Sequence, residues 1–373
     1  MEVLIVGGGI AGVSAGFELA AEHGVTLIEQ EPHLAYHTTG RSAALFTENY
    51  GDGTARPLTV ASRAFFDAPP PDFTDHPLLT ARGDLTIARP DQLAAAERLF
   101  AAGRSRSENI AIVDATDATG MCPALRPELI AAAVWDPESA DIDVAALHHG
   151  YVKGLRARGG RILTSAPLTQ ARIAPKGWHA TAGAHELRAD VIVNAAGAWG
   201  DVVARRSGVG AVGLTPRRRT AFMVAAPEGA ARWPMVIDAD EAFYFKPDGT
   251  QLLCSPGDET SSDPVDARPE EIDVAIALDR INAATTLDLR HVRSQWAGLR
   301  TFAPDRAMVI GRDPAQPGFV WLVGQGGTGI QSAPAAARLL ASIVNEAPPP
   351  ADVLAAGLDP EDTGPQRFRS DPM

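Results

Sequence analysis

The chain has 373 residues, 45% of them hydrophobic and 21% charged, a globular composition long enough for two domains of roughly 150 residues each. It excludes a disordered chain and a small disulfide-stapled scaffold. A formal net charge of −13 repels phosphate backbones, so nucleic acid is not an expected partner.

The two cysteines, Cys122 and Cys254, lie far apart, without a second Cys or His at metal-ligand spacing; no metal site is expected, and the count suits a reducing cytoplasm. No stretch approaches the roughly 18 apolar residues of an integral membrane segment, and MEVLIVGGG carries no basic leader. The expected location is cytoplasmic, with peripheral contact at the inner face of a membrane as the alternative.

Val3 to Val6 is apolar, Gly7 to Gly12 glycine-rich, Val13 to His23 helically spaced and Val25 to Ile28 apolar again, which together predict a βαβ unit. Gly7, Gly9 and Gly12 spell G-x-G-x-x-G between its strand and helix, where a tight turn, a close backbone approach and close packing each exclude a Cβ. Gly16 extends the small-residue face. The helix N-terminus offers free N–H groups to a pyrophosphate, and Glu29, 20 residues past Gly9, can accept hydrogen bonds from a ribose diol. The unit therefore reads as a dinucleotide site. Gly208, Gly210 and Gly213 repeat the spelling without a strand before or a helix after, and are expected to form a loop.

LAYHTTGRSAALFTENYG reads as a long loop leading to a helix, and the Pro-rich Ala68 to Pro77 as a break into a second domain. A strand is expected over Ala81 to Ala88, and helices over Pro90 to Ala102 and Asp143 to Gly160. Val191 to Val193 precedes NAAGAWG. Strand-like pieces recur at Ala221 to Ala225, Ala242 to Lys246 and Gln251 to Ser255, with a helix near Glu270 to Ala284. Phe319 to Val323, GQGGTG and Ala335 to Val344 make a last strand, turn and helix, followed by a tail expected to be irregular. His148 and His149 read as a packed or solvated pair.

HTTGRSAALF, NAAGAW, WAGLRTFAPD and GQGGTGIQ, in order behind the N-terminal motif, resemble the D-amino acid oxidase superfamily of FAD-dependent oxidoreductases over nearly the whole chain. YHTTGRSAALFTENYG, ADIDVAALHHGY and AFYFKP resemble the D-arginine dehydrogenase-like members. The resemblance implies an α/β fold, mixed α+β overall: a Rossmann-like FAD-binding domain (1–75, 140–213 and 296–346) interleaved with a β-sheet-based substrate domain (76–139 and 214–295), then a tail, 347–373.

It further implies non-covalent FAD, since neither cysteine falls in WAGLRTFAPD. Arg41, Ser42, Ala43 and Ala44 would lie along the flavin, Gly326, Gly327, Gly329 and Ile330 at its pyrimidine edge, with Leu168, Ala196 and Gly197 also on the cofactor. Arg219 and Arg300 would hold a substrate carboxylate with Tyr50 and Tyr244, and Asp84, Leu45 and Gln331 would face the rest of the substrate. Arg217 and Arg218 read as surface charge. Where the relatives carry a glutamate and a polar histidine, this chain has Asp84 and Leu45; the first favours a basic side chain, the second an aliphatic one.

The implied activity is oxidative deamination of a D-amino acid, a small-molecule substrate expected, on the strength of Asp84, to carry a basic side chain, to an imino acid that hydrolyses to 2-oxo acid and ammonia. A quinone, another acceptor or oxygen would take the electrons. The alternatives are oxidation of an N-substituted glycine or other secondary amine, oxidation of a 2-hydroxy acid, and a non-catalytic FAD-binding electron-transfer subunit.

Overall fold

The computed structural model describes residues 1–51, 53–105 and 107–368. Strand β1 (Glu2–Val6) buries the run VLIV on both faces and pairs in parallel with β2 (Gly24–Ile28) and with Val191–Asn194. Such continuous apolar strands suit a parallel sheet covered on both sides. The sheet runs Val309–Arg312, Phe319–Val323, Val191–Asn194, β1, β2, Arg161–Leu163, parallel except for its first strand. Helix α1 (Ile10–Leu19) crosses between β1 and β2 and packs on the helices Val144–Ala157 and Ala333–Val344. It is nearly all buried, and Gly16 lets it close in: a Cβ there would meet Leu155 at 3.0 Å. An antiparallel three-stranded sheet, Leu168–Ala174, Gly177–Ala182 and His185–Ala189, supplies Leu168, Ala171, Trp178 and Ala180 to the core on the opposite face.

The second layer is a nine-stranded mixed sheet. Thr215–Ala225 pairs along its length with Val292–Phe302 on one side and with Gln251–Ser255 on the other; Tyr244–Asp248, Met235–Asp238, Asp84–Ala88 and Ala132–Asp136 follow outward. One face carries a core of Leu85, Phe222, Val236, Phe245, Leu252, Cys254 and the helix Glu271–Ala284. The other face looks toward the first layer. The expected domain boundary at 295/296 falls inside the strand Val292–Phe302, which belongs to this sheet.

Three local expectations are corrected. The strand over Ala81 to Ala88 is two, Leu79–Ala81 and Asp84–Ala88, interrupted at Gly83, whose φ of +71° and contact with the Trp135 ring, 2.1 Å from where a Cβ would sit, require glycine. The tail is not irregular: Ala351–Ala355 is helical, Val353 and Leu358 are buried, and the Thr363 hydroxyl donates to the Ile310 carbonyl at 3.0 Å. Arg218 is no surface charge, since it is largely buried and paired with Asp273 at 2.8 Å and with Glu270.

The stretch bearing Gly208, Gly210 and Gly213 is a loop between the helix Gly200–Arg206 and the strand Thr215–Ala225. The N–H groups of Val212, Gly213 and Leu214 all donate to the Asp201 carboxylate at 2.8–3.1 Å. These three donors are thus satisfied within the loop and its preceding helix.

Candidate active site

A cavity of about 1530 Å³, its open mouth included, runs between the two layers. At one end lie Val6, Gly7, Gly9, Ile28, Glu29, Ala166, Leu168 and Arg206; at the other, Arg219, Tyr244, Arg300, Gly326, Gly327 and Ile330. Arg41, Ser42, Ala43, Ala196, Gly197 and Gly329 line the stretch between or beside them.

The nucleotide end is built by close approach. Gly7 has φ +117°, and a Cβ on Gly12 would sit 1.8 Å from the Gly7 carbonyl oxygen, so both positions exclude a side chain. Gly9 differs: a Cβ would meet only the Thr39 hydroxyl, at 3.1 Å, so the space over it belongs to the cavity it lines. Glu29, buried at the end of β2, accepts from the N–H of Gly8 at 2.6 Å and of Glu31 at 2.9 Å, which aims its carboxylate at the turn. The Thr39 hydroxyl accepts from the Ile10 N–H at 3.0 Å, satisfying one of the free donors that open α1. His148 is buried and its Nε2 lies 3.0 Å from the Gly8 carbonyl, while His149 is exposed. His148 thereby steadies the turn. Burial, with a smaller push from His149 and against the Gly8 contact, lowers its pKa.

The loop bearing Arg41 to Ala44 is tied to the second layer. The Arg41 guanidinium donates to the carbonyls of Ala267 and Ala297 at 3.1 and 2.9 Å and pairs with Asp266 at 2.5 Å, while the Trp296 indole donates to the Arg41 carbonyl at 2.9 Å. Buried Lys246 donates to the Ala44 carbonyl at 3.2 Å and to Asp141 at 2.6 Å. Ala44 itself is not among the lining residues.

At the far end Arg300 donates to the Tyr50 hydroxyl at 2.8 Å. Burial alone would lower the pKa of this guanidinium, but Tyr50, Tyr244 and Glu241 around it raise it above its ordinary value, so it is a permanent cation. Gly327 is small because Arg300 lies beside it: a Cβ would stand 2.8 Å from the guanidinium carbon. Gly326, with φ +52°, donates its N–H to the Thr301 carbonyl at 2.9 Å and pins the glycine loop to the strand that carries Arg300. Arg219 is buried, its Nε donating to the Asp258 carbonyl at 2.8 Å and its Nη2 to Glu259 at 3.3 Å. Beside them Ala221, Met223, Met235, Tyr244 and Leu253 form an apolar cluster with Ala43, Leu45, Ile237 and Trp296.

Three expected substrate contacts sit behind this wall. Leu45 packs in the apolar cluster, and Gln331 accepts from the Thr47 N–H at 3.1 Å. Asp84 is buried, accepts from the Ser139 hydroxyl at 2.6 Å and faces Asp136 across the sheet. Burial pushes its pKa up to about 7, helped by the Asp136 charge and opposed by hydrogen bonds from Ser139 and Thr47. None of the three, nor Tyr50, is a lining residue.

Several lining residues escaped the sequence analysis: Thr39, His37, Trp199, Arg206 and Gln325. Trp199 was legible inside NAAGAWG, His37 and Thr39 inside HTTGRSAALF and Gln325 inside GQGGTGIQ; Arg206 lies on a helix whose aim only the fold sets. His37 is paired with Glu31 at 2.9 Å and packs on Trp199. The residues fit a bound dinucleotide on a further ground: the buried Thr301 hydroxyl and Gln325 amide nitrogen line the cavity with no hydrogen-bond partner among the described residues, and a ligand is the natural partner for such groups. Both cysteines are buried in the outer core of the second layer, away from the cavity. Among the described residues no cluster of three or more His, Cys, Asp or Glu could hold a metal ion, and no helix is long and apolar enough to cross a membrane.

Known proteins carry the same architecture. The chain is 25% identical over 405 aligned residues to FAD-dependent oxidoreductase domain-containing protein 1 of Bos taurus, covering 92% of this chain and 81% of that protein. It is 23% identical to glycine oxidase of Geobacillus kaustophilus, with 92% of each chain covered; the crystal structure of glycine oxidase from that organism superposes with a TM-score of 0.82. L-proline dehydrogenase from P. horikoshii superposes with a TM-score of 0.86 at 18% identity, covering 98% of this chain and 97% of that one. A model of the FAD-dependent oxidoreductase (DAO) family matches residues 2–343. The chain belongs to that family, and its cofactor is FAD.

Proposed function

We propose that this oxidoreductase acts on the Cα–N bond of a D-amino acid with a neutral, apolar side chain. Bound FAD supplies a two-electron acceptor for the hydride that leaves Cα. The amine loses a proton to solvent as C=N forms, and water then hydrolyses the imine to a 2-oxo acid and ammonia. The observation that carries the reading is the joining of Arg300 to Tyr50, beside Tyr244 and Arg219, at the glycine-loop end of the cavity. A guanidinium held in that way is a fork for a carboxylate. It orients Cα, and orientation is the larger part of what such a site contributes to hydride transfer. The Nε2–Gly8 contact of His148 and the close fit of Gly7 and Gly12 hold the nucleotide end still while this happens.

Of the apolar cluster, Ala43, Ala221 and Tyr244 line the cavity, which supports a hydrocarbon side chain. Asp84, engaged by Ser139 and opposite Asp136, does not offer its carboxylate to a distal cation. A secondary amine, such as an N-substituted glycine, is the second reading; the likeness to glycine oxidase and to L-proline dehydrogenase favours it, and the same arginine fork would serve. A 2-hydroxy acid would need a base for its alcohol proton, and the lining histidine, His37, is occupied by Glu31.

The test is anaerobic bleaching of the flavin by a panel of D- and L-amino acids, sarcosine, proline and 2-hydroxy acids. Fast reduction by apolar D-amino acids is expected. Reduction by sarcosine or proline alone would transfer the assignment to secondary amines, and no reduction by any compound would leave an electron-transfer subunit.

A further inference from the structure

Glu259 stands directly behind Arg219. Its Oε1 accepts from Arg219 Nη2 at 3.3 Å, and both its oxygens accept from Arg306 Nη2 at 3.1 Å. The short loop that carries it is itself anchored, because the Asp258 carboxylate accepts from the Thr220 N–H at 2.6 Å and hydroxyl at 3.0 Å, and the Asp258 carbonyl accepts from Arg219 Nε. Arg306 is held over the Phe302 ring, 3.8 Å from its centroid, on the strand end just past Arg300. A carboxylate thus sits within direct reach of one of the two arginines that line the substrate end, and is itself braced from the solvent side.

We infer that Glu259 is a specificity-determining positioning residue: it orients Arg219 and offsets part of the positive charge of the arginine pair, so that the site takes monocarboxylates and rejects dicarboxylates. This rests on the carboxylate-binding reading above. Arg219 and Arg300 together present two positive charges to a cavity end, enough by themselves to attract a dianion. Glu259 counts against that pair, and Arg306, its side chain 47% exposed, offsets it only in part because water screens the outer charge. Although burial pushes the Glu259 pKa up, the hydrogen bond and charge of Arg306 and the charges of Arg219 and Arg300 outweigh it and lower the pKa, so the group is ionised throughout the working range. The negative charge acts on any second carboxylate of a ligand, whichever way that ligand's side chain runs, because Coulomb repulsion over about 10 Å in a partly desolvated site does not need contact.

The test uses the FAD-bound enzyme and reads the perturbation of flavin absorbance by acetate and by malonate, giving a dissociation constant for each. Wild type is expected to favour acetate. Glu259→Gln should shift the malonate-to-acetate ratio by about tenfold toward malonate, and added salt should shrink that shift. Glu259→Asp keeps the charge and should keep the wild-type ratio. Arg306→Gln removes the opposing charge and should move the ratio the other way. A Glu259→Gln ratio equal to wild type, with both acids still perturbing the flavin, overturns the charge role while leaving the carboxylate site in place. If neither acid perturbs wild-type flavin, the carboxylate reading falls, and the role of Glu259 with it.

Discussion

At the nucleotide end of the cavity, Gly7 and Gly9 lie in the turn after β1, Gly12 in α1 and Glu29 just past β2, all within the first 29 residues. At the substrate end, Tyr50, Arg219, Tyr244 and Arg300 come from a loop and three separate strands, brought together by a sheet in which Thr215–Ala225 pairs with Val292–Phe302. The first end depends on what is absent, since backbone must approach where no Cβ fits. The second depends on charged and aromatic side chains held by long-range hydrogen bonds. Damage at the first end should therefore remove the cofactor, and damage at the second should remove turnover while flavin stays bound.

The largest expected effect breaks the first end. Gly12→Val places a side chain on the Gly7 carbonyl, a clash with no relief, and should cost more than about 4 kcal/mol; the chain should be recovered without flavin or not at all. Gly9→Leu sharpens the contrast. Its Cβ presses only on the Thr39 hydroxyl, at 3.1 Å, which need give by no more than a few tenths of an ångström, so the protein should fold, with native circular dichroism, but elute colourless because the side chain fills the pyrophosphate's place. A yellow Gly9→Leu protein would contradict the placing of the nucleotide.

Arg300→Met breaks the second end. Loss of a charge-assisted pair with a carboxylate in a desolvated site should lower kcat/KM by about 2–5 kcal/mol, at least ~30-fold, with the flavin spectrum and stoichiometry unchanged. Normal kinetics on the best amino acid would remove Arg300 from the site. Tyr50→Phe deletes only the hydroxyl that accepts from Arg300; stopped-flow reduction should slow by about tenfold, as expected for one hydrogen bond to a charged group.

Asp84→Asn should produce the smallest change in turnover and a distinct one in stability. The folded pKa of Asp84, about 7, lies above its unfolded value, so its contribution is fully present below about pH 4 and is lost as pH rises toward and through 7. The variant cannot ionise; its thermal midpoint should exceed that of wild type at pH 8 and lose the decline between about pH 4 and 7. Ratios of kcat/KM for D-Arg over D-Met should stay as in wild type. A selective loss on D-Arg would return Asp84 to the substrate pocket.

The glycine motif, Glu29 at the end of the next strand, the last strand and helix, and the order of the family segments were all legible from residues in sequence, because short-range spacing alone sets which backbone is close to which. The break at Gly83 and the docking of the helix that carries Val353 were not, since each answers to a partner far along the chain: the Trp135 ring in one case, the helix Ala55–Asp67 in the other. The three arginines at 217–219 look alike in sequence, yet in the fold Arg218 parts from its neighbours. Strand alternation turns Arg219 into the cavity and leaves Arg218 to Glu270 and Asp273, and only the pairing register decides which of them meets a substrate. Glu259 belongs to the same class of fact, for a carboxylate in a loop has no meaning until a sheet places an arginine against it.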